Sequence, residues 1–388
     1  MVWTPFHHLL MRGRILGGKN LPKDGPYLIL SNHTSALDPP WLAYYPVRHV
    51  HFMASAHLFR IRGLNKLITV LNAFPKQKFV KDRQSMAALF ERYKNDQIIM
   101  IFPEGTRTFD GRNIPIRPGI GRVIKKLNAT VVFVKNHTGY LIQPRWGKYP
   151  RWVPLILEYS DPVTFPEEMS ADEIAAVVQD QIRVDRNIEV KGLCLGYRMA
   201  WGLETYLWAC PECFAISALS PDPKDGNRLV CRACACAWQV TPLARIVPER
   251  EGLQTLMVSE AFDRLDAHFG HPPLVDAAAT ERDGVVLRSK DASVGRLERG
   301  SLKATPVARG SLELLKDRVR VVGESAWELP FSEIQSISVE VRNTLTIIAG
   351  DGMLQVVTGA ESPLLWSHFM RHWWWLSDPN REGPVPPP

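Results

Sequence analysis

Three short apolar runs punctuate the first half of the chain: "YLILSN" (27–32), "DQIIMIFPEG" (96–105) and "ATVVFVKN" (129–136). Between them lie amphipathic stretches, "DRQSMAALFERYKN" (82–95) and "GIGRVIKKL" (119–127). The runs have the length and β-branched content of buried strands, and the stretches between them carry apolar residues at helical spacing. This alternation predicts an α/β fold over residues 1–190, a mostly parallel sheet flanked by helices. In such sheets ligands gather at loops beyond the carboxyl ends of the strands. His33 and "FPEGTR" (102–107) each follow a predicted strand end, so they are expected to sit together.

The chain has 388 residues, enough for more than one domain. With 45% hydrophobic and 22% charged residues it reads as globular. Past the helical stretch "SADEIAAVVQDQI" (170–182), "LGYRMAWGLETYLW" (195–208) also reads as helix, giving a helical linker over 191–205. A cysteine module occupies 206–245, and a helical connector and linker, including "SEAFDRLDAHF" (259–269), fills 246–283. Residues 284–378 are strand-rich, from "GVVLRS" to "LQVVTG", and close with the helix "ESPLLWSHFMRHWWWL" (361–376). Several short strands ended by one helix make a small β-rich barrel that resembles a pleckstrin-homology or GRAM module. In that helix Leu365, Phe369, Trp373 and Leu376 form the expected core stripe, leaving Trp374 and Trp375 partly off it as candidates for a lipid headgroup layer. A Pro-rich disordered tail (379–388) ends the chain.

Cys210/Cys213 and Cys231/Cys234 form two Cys-x2-Cys pairs with seventeen residues between them. That spacing is a zinc-ribbon signature. Four thiolates fill a tetrahedral shell and leave no position for substrate, so the zinc is expected to be structural. Cys236 is an alternative fourth ligand, and Cys194 reads as buried and inert.

The net charge of +7 and a pI near 9.1 favour polyanionic partners: phosphorylated ligands, anionic lipid or nucleic acid. No run of eighteen apolar residues occurs, and the first residues lack a secretory signal, so the expected location is cytoplasmic. On that reading the Asn-x-Thr triplets at Asn32 and Asn136 are accidental matches to a glycosylation signal. A second candidate for membrane contact is "HLFRIRGLNKLITVLNAF" (57–74), apolar on one side with Arg60, Arg62 and Lys66.

His33 and Asp38 are five positions apart, and five residues of regular helix turn through about 500°, which separates the two side chains. They meet only if the backbone between them is not helix. Asp38 before Pro39 is disfavoured in helical dihedrals and makes an N-cap and first-turn pair, placing a helix start near Asp38. A histidine held by an aspartate suits removal of a proton from a hydroxyl. Neither a Gly-x-Ser-x-Gly elbow nor a Walker-type glycine loop is present, so a covalent serine intermediate and phosphoryl transfer are disfavoured. Arg107 offers a planar fork for phosphate, Glu104 can orient it, and Gly105 permits an unusual turn. More cations lie at Lys76, Lys78, Lys81 and Arg83, and downstream at Arg117, Arg122, Lys125 and Lys126.

"NHTSALDP", "AFPKQKFVKDR" and "FPEGTR", in that order, resemble the first three sequence blocks of the glycerolipid acyltransferase family, over roughly residues 15–160. The resemblance implies His33 as the base and Asp38 as its orienter. It implies Glu104, Gly105, Thr106 and Arg107 at the acceptor's phosphate, joined by Arg83, with Lys76 as its competitor. Two departures stand out: a lengthened, lysine-rich second block, and Thr130 where the fourth block tends to have proline. The implied reaction moves a fatty acyl group from acyl-CoA or acyl-ACP to a lysophospholipid hydroxyl, with 1-acyl-sn-glycerol-3-phosphate as first acceptor and phosphatidic acid as product. It needs no catalytic metal. Without a spanning helix, such a protein would meet lipid peripherally, at the inner face of the membrane. The alternative is a non-catalytic docking protein, its ribbon binding nucleic acid or a protein. Nucleic acid is disfavoured because Lys224, Arg228 and Arg232 are offset by Glu212, Asp222 and Asp225.

Overall fold

The computed structural model describes residues 13–46, 48–76, 82–117, 119–185, 188–270, 282–297, 304–323, 325–341, 344–350, 352–359 and 361–377. Lys78, Lys81 and the Pro-rich tail lie outside the described residues. The chain divides into two compact units, 1–199 with 240–246 and 200–239 with 247–388.

The first unit is built on seven strands: β1 (Arg14–Gly17), β2 (Leu28–Ser31), β3 (Val50–Ser55), β4 (Ala73–Lys76), β5 (Ile98–Ile101), β6 (Val131–Asn136) and, after the short β7 (Arg151–Trp152), β8 (Ile156–Tyr159). Their order in the sheet is β1-β8-β6-β2-β5-β3-β4. All neighbours run parallel except β6 and β8. The expected mostly parallel α/β sheet is what forms. Its central strands, β2 over Leu28–Leu30, β5, and β6 over Val131–Val134, are apolar without a break because both faces are covered. Ile29, Met100 and Val132 enter one core, while Leu28, Ile99 and Val131 enter the other, as strand alternation requires. Leu89 from helix Arg83–Lys94, Ile124 from Gly119–Leu127 and Val178 from Ala171–Gln181 fill the second core. Parallel pairing sends the loops after β2, β3, β5 and β6 out from a single edge of the sheet.

The helical reading of 191–205 fails. Leu195–Gly196, here β9, pairs antiparallel with β7, and helix is limited to the single turn Leu203–Tyr206. Left-handed backbone at Gly192 (φ +114), Arg198 (φ +49) and Gly202 (φ +96) interrupts any continuous helix.

In the second unit, strands Leu219–Pro221, Arg228–Cys231 and Ala237–Val240 form an antiparallel ribbon, and helix Val258–Phe269 follows. The strand-rich segment forms a curled antiparallel sheet of seven strands, from Leu287–Leu297 to Gly352–Thr358, with helix Pro363–Leu376 packed against Ile334–Val341 and Thr344–Ala349. One strand, Trp327–Pro330, was not expected; it is a four-residue edge strand. Leu365 and Phe369 are buried as expected, joined by Trp366 and Met370, but Leu376 is exposed. Trp374 donates its indole N–H to the Ile334 carbonyl at 3.1 Å, so its polar tip faces the sheet rather than a headgroup layer.

Candidate active site

β2 ends at Ser31, and the loop that follows carries His33 back over the start of helix Asp38–Leu42. His33 Nδ1 lies 2.8 Å from Asp38 Oδ2. The same oxygen accepts the backbone N–H groups of Thr34 at 2.6 Å and Ser35 at 2.9 Å. Oδ1 accepts the Thr34 hydroxyl at 3.0 Å and the Asn136 amide at 2.9 Å. Asp38 is fully buried, and these donors replace the water its carboxylate gives up. One sequence expectation is corrected here: Asp38 is not the N-cap. Leu37 holds that position, and Asp38 is the first helical residue, so its carboxylate folds back to close the preceding loop. Pro39 and Pro40 occupy the first turn, where a missing N–H costs no helical hydrogen bond.

The His33 ring stacks on Phe102, centroids 4.1 Å apart. Its backbone N–H donates to Glu104 Oε2 at 2.9 Å, and its carbonyl accepts the Thr108 N–H at 2.9 Å. The histidine loop and "FPEGTR" are thus stitched together, as neighbouring parallel strands β2 and β5 dictate. Pro103 ends the β5 run, and Gly105 turns with φ +72, its N–H on the Phe102 carbonyl at 3.0 Å. A Cβ at Gly105 would come within 3.1 Å of Arg117 Nε.

Glu104 is buried, and its oxygens face protein donors. Oε1 accepts the Ile114 N–H at 3.1 Å and the Asn113 amide at 3.3 Å, opposite the His33 bond on Oε2. Burial raises its pKa to about 7; the three donors work against that rise, and the nearby Asp38 charge adds to it. Arg145 brings its guanidinium over the Phe109 ring, 4.0 Å from the centroid, and donates to Thr106 Oγ1 at 3.1 Å and the Arg107 carbonyl at 2.8 Å. Arg107 is half-buried, and Arg117 is exposed.

Lys76 and Arg83 are placed differently. Lys76 ends β4, its Nζ 3.9 Å from Asp82, and Arg83 is the exposed first residue of its helix. The order β2-β5-β3-β4 sets β4 three strands from β2, roughly 14 Å at about 4.8 Å per strand.

Sequence reasoning missed Asn136 and Arg145. Asn136 and Asn32 are both buried and clasp each other across β2 and β6: the Asn32 amide donates to the Asn136 carbonyl at 3.0 Å, and the Asn136 N–H donates to Asn32 Oδ1 at 2.8 Å. The available signal was the tripeptide Asn-His-Thr, present at both 32–34 and 136–138, each at the carboxyl end of a strand. Arg145 left no comparable signal.

His33 is 21% exposed at its side chain. With Nδ1–H donated to Asp38, a tautomer assigned from the bonding, Nε2 is the basic nitrogen and can take a proton from a hydroxyl.

The second unit brings Cys210, Cys213, Cys231 and Cys234 together, all sulfur atoms within 4.8 Å of one another. Cys210 and Cys234 sulfurs are 3.8 Å apart, and Cys213 and Cys231 sulfurs 3.7 Å. A tetrahedron of thiolates at the zinc–sulfur distance of about 2.3 Å has edges of about 3.8 Å, so the donor set fits that ion. Each pair sits on the same turn. Phe214 N–H bonds the Cys210 carbonyl at 2.9 Å and Ala235 N–H the Cys231 carbonyl at 3.0 Å, with φ +58 and +59. Cys236 is buried outside the cluster, its sulfur 3.7 Å from Arg250 Nη1. Cys194 is half-buried rather than buried.

Residues 13–141 match the family model described as Acyltransferase. The 1-acyl-sn-glycerol-3-phosphate acyltransferase of Bacillus subtilis is 26% identical over 127 residues, 32% of this chain and 63% of that protein, so the match spans less than two thirds of its length. The Saccharomyces cerevisiae protein of the same name is 26% identical over 238 residues, 58% of this chain and 75% of its own. Among solved structures, the 1-acyl-sn-glycerophosphate (LPA) acyltransferase of Thermotoga maritima is similar over 47% of this chain and 74% of its own, with 25% identity and a TM-score of 0.40.

Proposed function

We propose that the acyltransferase-family region, residues 13–141, moves a fatty acyl group from an acyl-CoA or acyl-ACP thioester to a lysophospholipid hydroxyl, with 1-acyl-sn-glycerol-3-phosphate as first acceptor and phosphatidic acid as product. One observation carries the reading: a fully buried Asp38 grips His33 at 2.8 Å, directly beside "FPEGTR". The names of the relatives agree with it.

His33 Nε2 takes the proton of the acceptor hydroxyl as its oxygen attacks the thioester carbonyl carbon. Asp38 holds the ring and stabilises the imidazolium that forms. The tetrahedral adduct then expels the thiolate, which takes the proton back from His33, leaving an ester and a free thiol. Proton transfer of this kind contributes roughly 10²–10⁴-fold, and alignment of the reactants supplies more. Arg107 and Arg117, with Gly105 and Thr106, form the pocket for the acceptor's phosphate. Arg145 braces that turn, while Glu104 is a positioning residue that fixes the His33 backbone. Arg83 and Lys76 remain our assignments for additional phosphate contact further out along the sheet.

Cys210, Cys213, Cys231 and Cys234 would hold a structural zinc ion, which would fasten the ribbon and supply no chemistry to the transfer. The curled sheet with its closing helix resembles a pleckstrin-homology or GRAM module, and we assign residues 284–378 to docking. The domain limits proposed above, with the acyltransferase unit at 1–190 and the ribbon at 206–245, follow the same reading. Among the described residues no helix is long and apolar enough to cross a membrane, and we place the protein peripherally on the cytoplasmic face. The decisive assay incubates purified protein with a panel of lysolipids and both thioester donors and identifies products by mass spectrometry. Phosphatidic acid from wild type and none from His33→Ala is the expected result; equal product from both would sink the assignment.

A further inference from the structure

The edge of the sheet that carries His33 also carries two patches of unburied apolar side chains. Residues 56–71 leave that edge after β3. Residues 137–155 lie between the end of β6 and the start of β8, which runs antiparallel to β6 and so begins at the same edge. In the order β8-β6-β2-β5-β3 the His33 loop emerges between them.

In the first patch, helix Leu64–Val70 buries none of its side chains. Leu67 is 56% exposed and Val70 78%, with Ile61 and Leu71 exposed beside them. In the second, β7 pairs with β9 and presents Trp152, Leu195 (53% exposed) and Tyr197 (61%), next to the exposed Leu193. Full burial of one such side chain is worth about 1.5–3 kcal/mol, so a stable fold gains nothing by leaving both groups in water. Their charge is one-sided. Residues 56–76 contain no Asp or Glu but include Arg62 and Lys66, both exposed. Residues 137–155 also contain no Asp or Glu, and Lys148 is exposed there. Glu189, the acidic residue within 188–199, lies 3.3 Å from Lys191.

Aliphatic and aromatic tips ringed by cations match a bilayer surface with anionic headgroups, where Trp and Tyr place an apolar ring in the acyl boundary and a polar end in water. We infer that the carboxyl edge of this sheet is a membrane-facing surface, with the two patches inserting on either side of the His33 loop. The choice of a bilayer as occupant rests on the acyl-transfer reading; the patches themselves do not. Held this way, a lysolipid would reach His33 by sliding its headgroup out of the bilayer while its chain stays in lipid.

The test uses the full chain and vesicles of phosphatidylcholine with or without added phosphatidylglycerol. Wild type should co-sediment with the anionic vesicles and release in high salt. The pairs Leu67→Glu/Val70→Glu and Leu193→Glu/Leu195→Glu should each weaken partitioning about tenfold or more. Their circular dichroism, and transfer to a short-chain lysophosphatidate kept below its micelle concentration, should match wild type. Wild-type partitioning by both variants, or no vesicle binding by wild type at low salt, would overturn the proposal. So would a self-association or protein contact abolished by the same changes without any lipid binding. Lost partitioning in the variants of a protein that transfers no acyl group would uphold the surface and remove the enzyme reading, so the two fail separately.

Discussion

Asp38 is held by a donor 98 residues away and Asn32 by a partner 104 away, whereas the four cysteines span only 24 positions. The histidine site takes its loops from the ends of β2, β5 and β6, so its geometry exists only when the sheet has assembled. The cysteine cluster rests on two repeated backbone turns and three short strands, which local sequence nearly specifies. A site assembled from distant strands should fail through its core; one assembled locally should fail through loss of the zinc proposed for it.

Removing the proposed zinc should therefore have the largest effect. Chelation, or Cys213→Ser, is expected to destabilise the ribbon by on the order of 10 kcal/mol, the scale of zinc-dependent folding. Metal analysis with thermal unfolding checks it, and a ribbon that melts unchanged without metal would break the comparison. Next in size, His33→Ala should lower the transfer rate roughly 10²–10⁴-fold with unchanged fold and metal content, because the His33 side chain is 21% exposed and water can reach the place of the lost donor to Asp38. Asn136→Ala should act on both stability and rate. It strips a donor from buried Asp38 and an acceptor from the Gly139 N–H, which lies 2.8 Å from Asn136 Oδ1, and should cost about 1–3 kcal/mol in denaturant unfolding.

Glu104 gives a pH signature of similar size. Its folded pKa of about 7 exceeds the ordinary 4.5, so the folded state binds its proton more tightly than the unfolded chain does. That stabilisation is complete below about pH 4.5 and is lost as pH rises through 7, with a slope that Glu104→Gln should remove. Urea midpoints measured across that interval test the sign. The smallest effect separates the cations: Arg107→Ala should raise the acceptor KM about tenfold, and Arg83→Ala about threefold or less, since Arg83 opens the helix that follows β4, three strands out from β2. Equal effects would move the phosphate pocket toward β4.

Much of this was legible in the chain. Unbroken apolar runs marked the central strands because both faces of a parallel sheet are covered. His33 and "FPEGTR" each follow a strand end, which let them be expected together; that their strands β2 and β5 are neighbours is seen only in the sheet order. Cysteine spacing named the cluster because four cysteines on two tight turns need little else to come together. Asp38 was misread as a helix cap because its five hydrogen bonds come from the loop before it and from β6, which no local rule counts. The 195–208 segment was misread because helical spacing of apolar residues cannot reveal left-handed backbone at Arg198.

The sequence by itself determined the layers, the motifs and the cysteine cluster, since periodicity and spacing are properties of neighbouring residues. Tertiary structure alone decided that Asn136 and Asn32 lock β6 to β2 behind Asp38, that Glu104 turns inward to hold His33, and that Arg145 braces the turn beside it. A buried polar group takes whatever partner the fold delivers, and only the assembled sheet determines which residue that is.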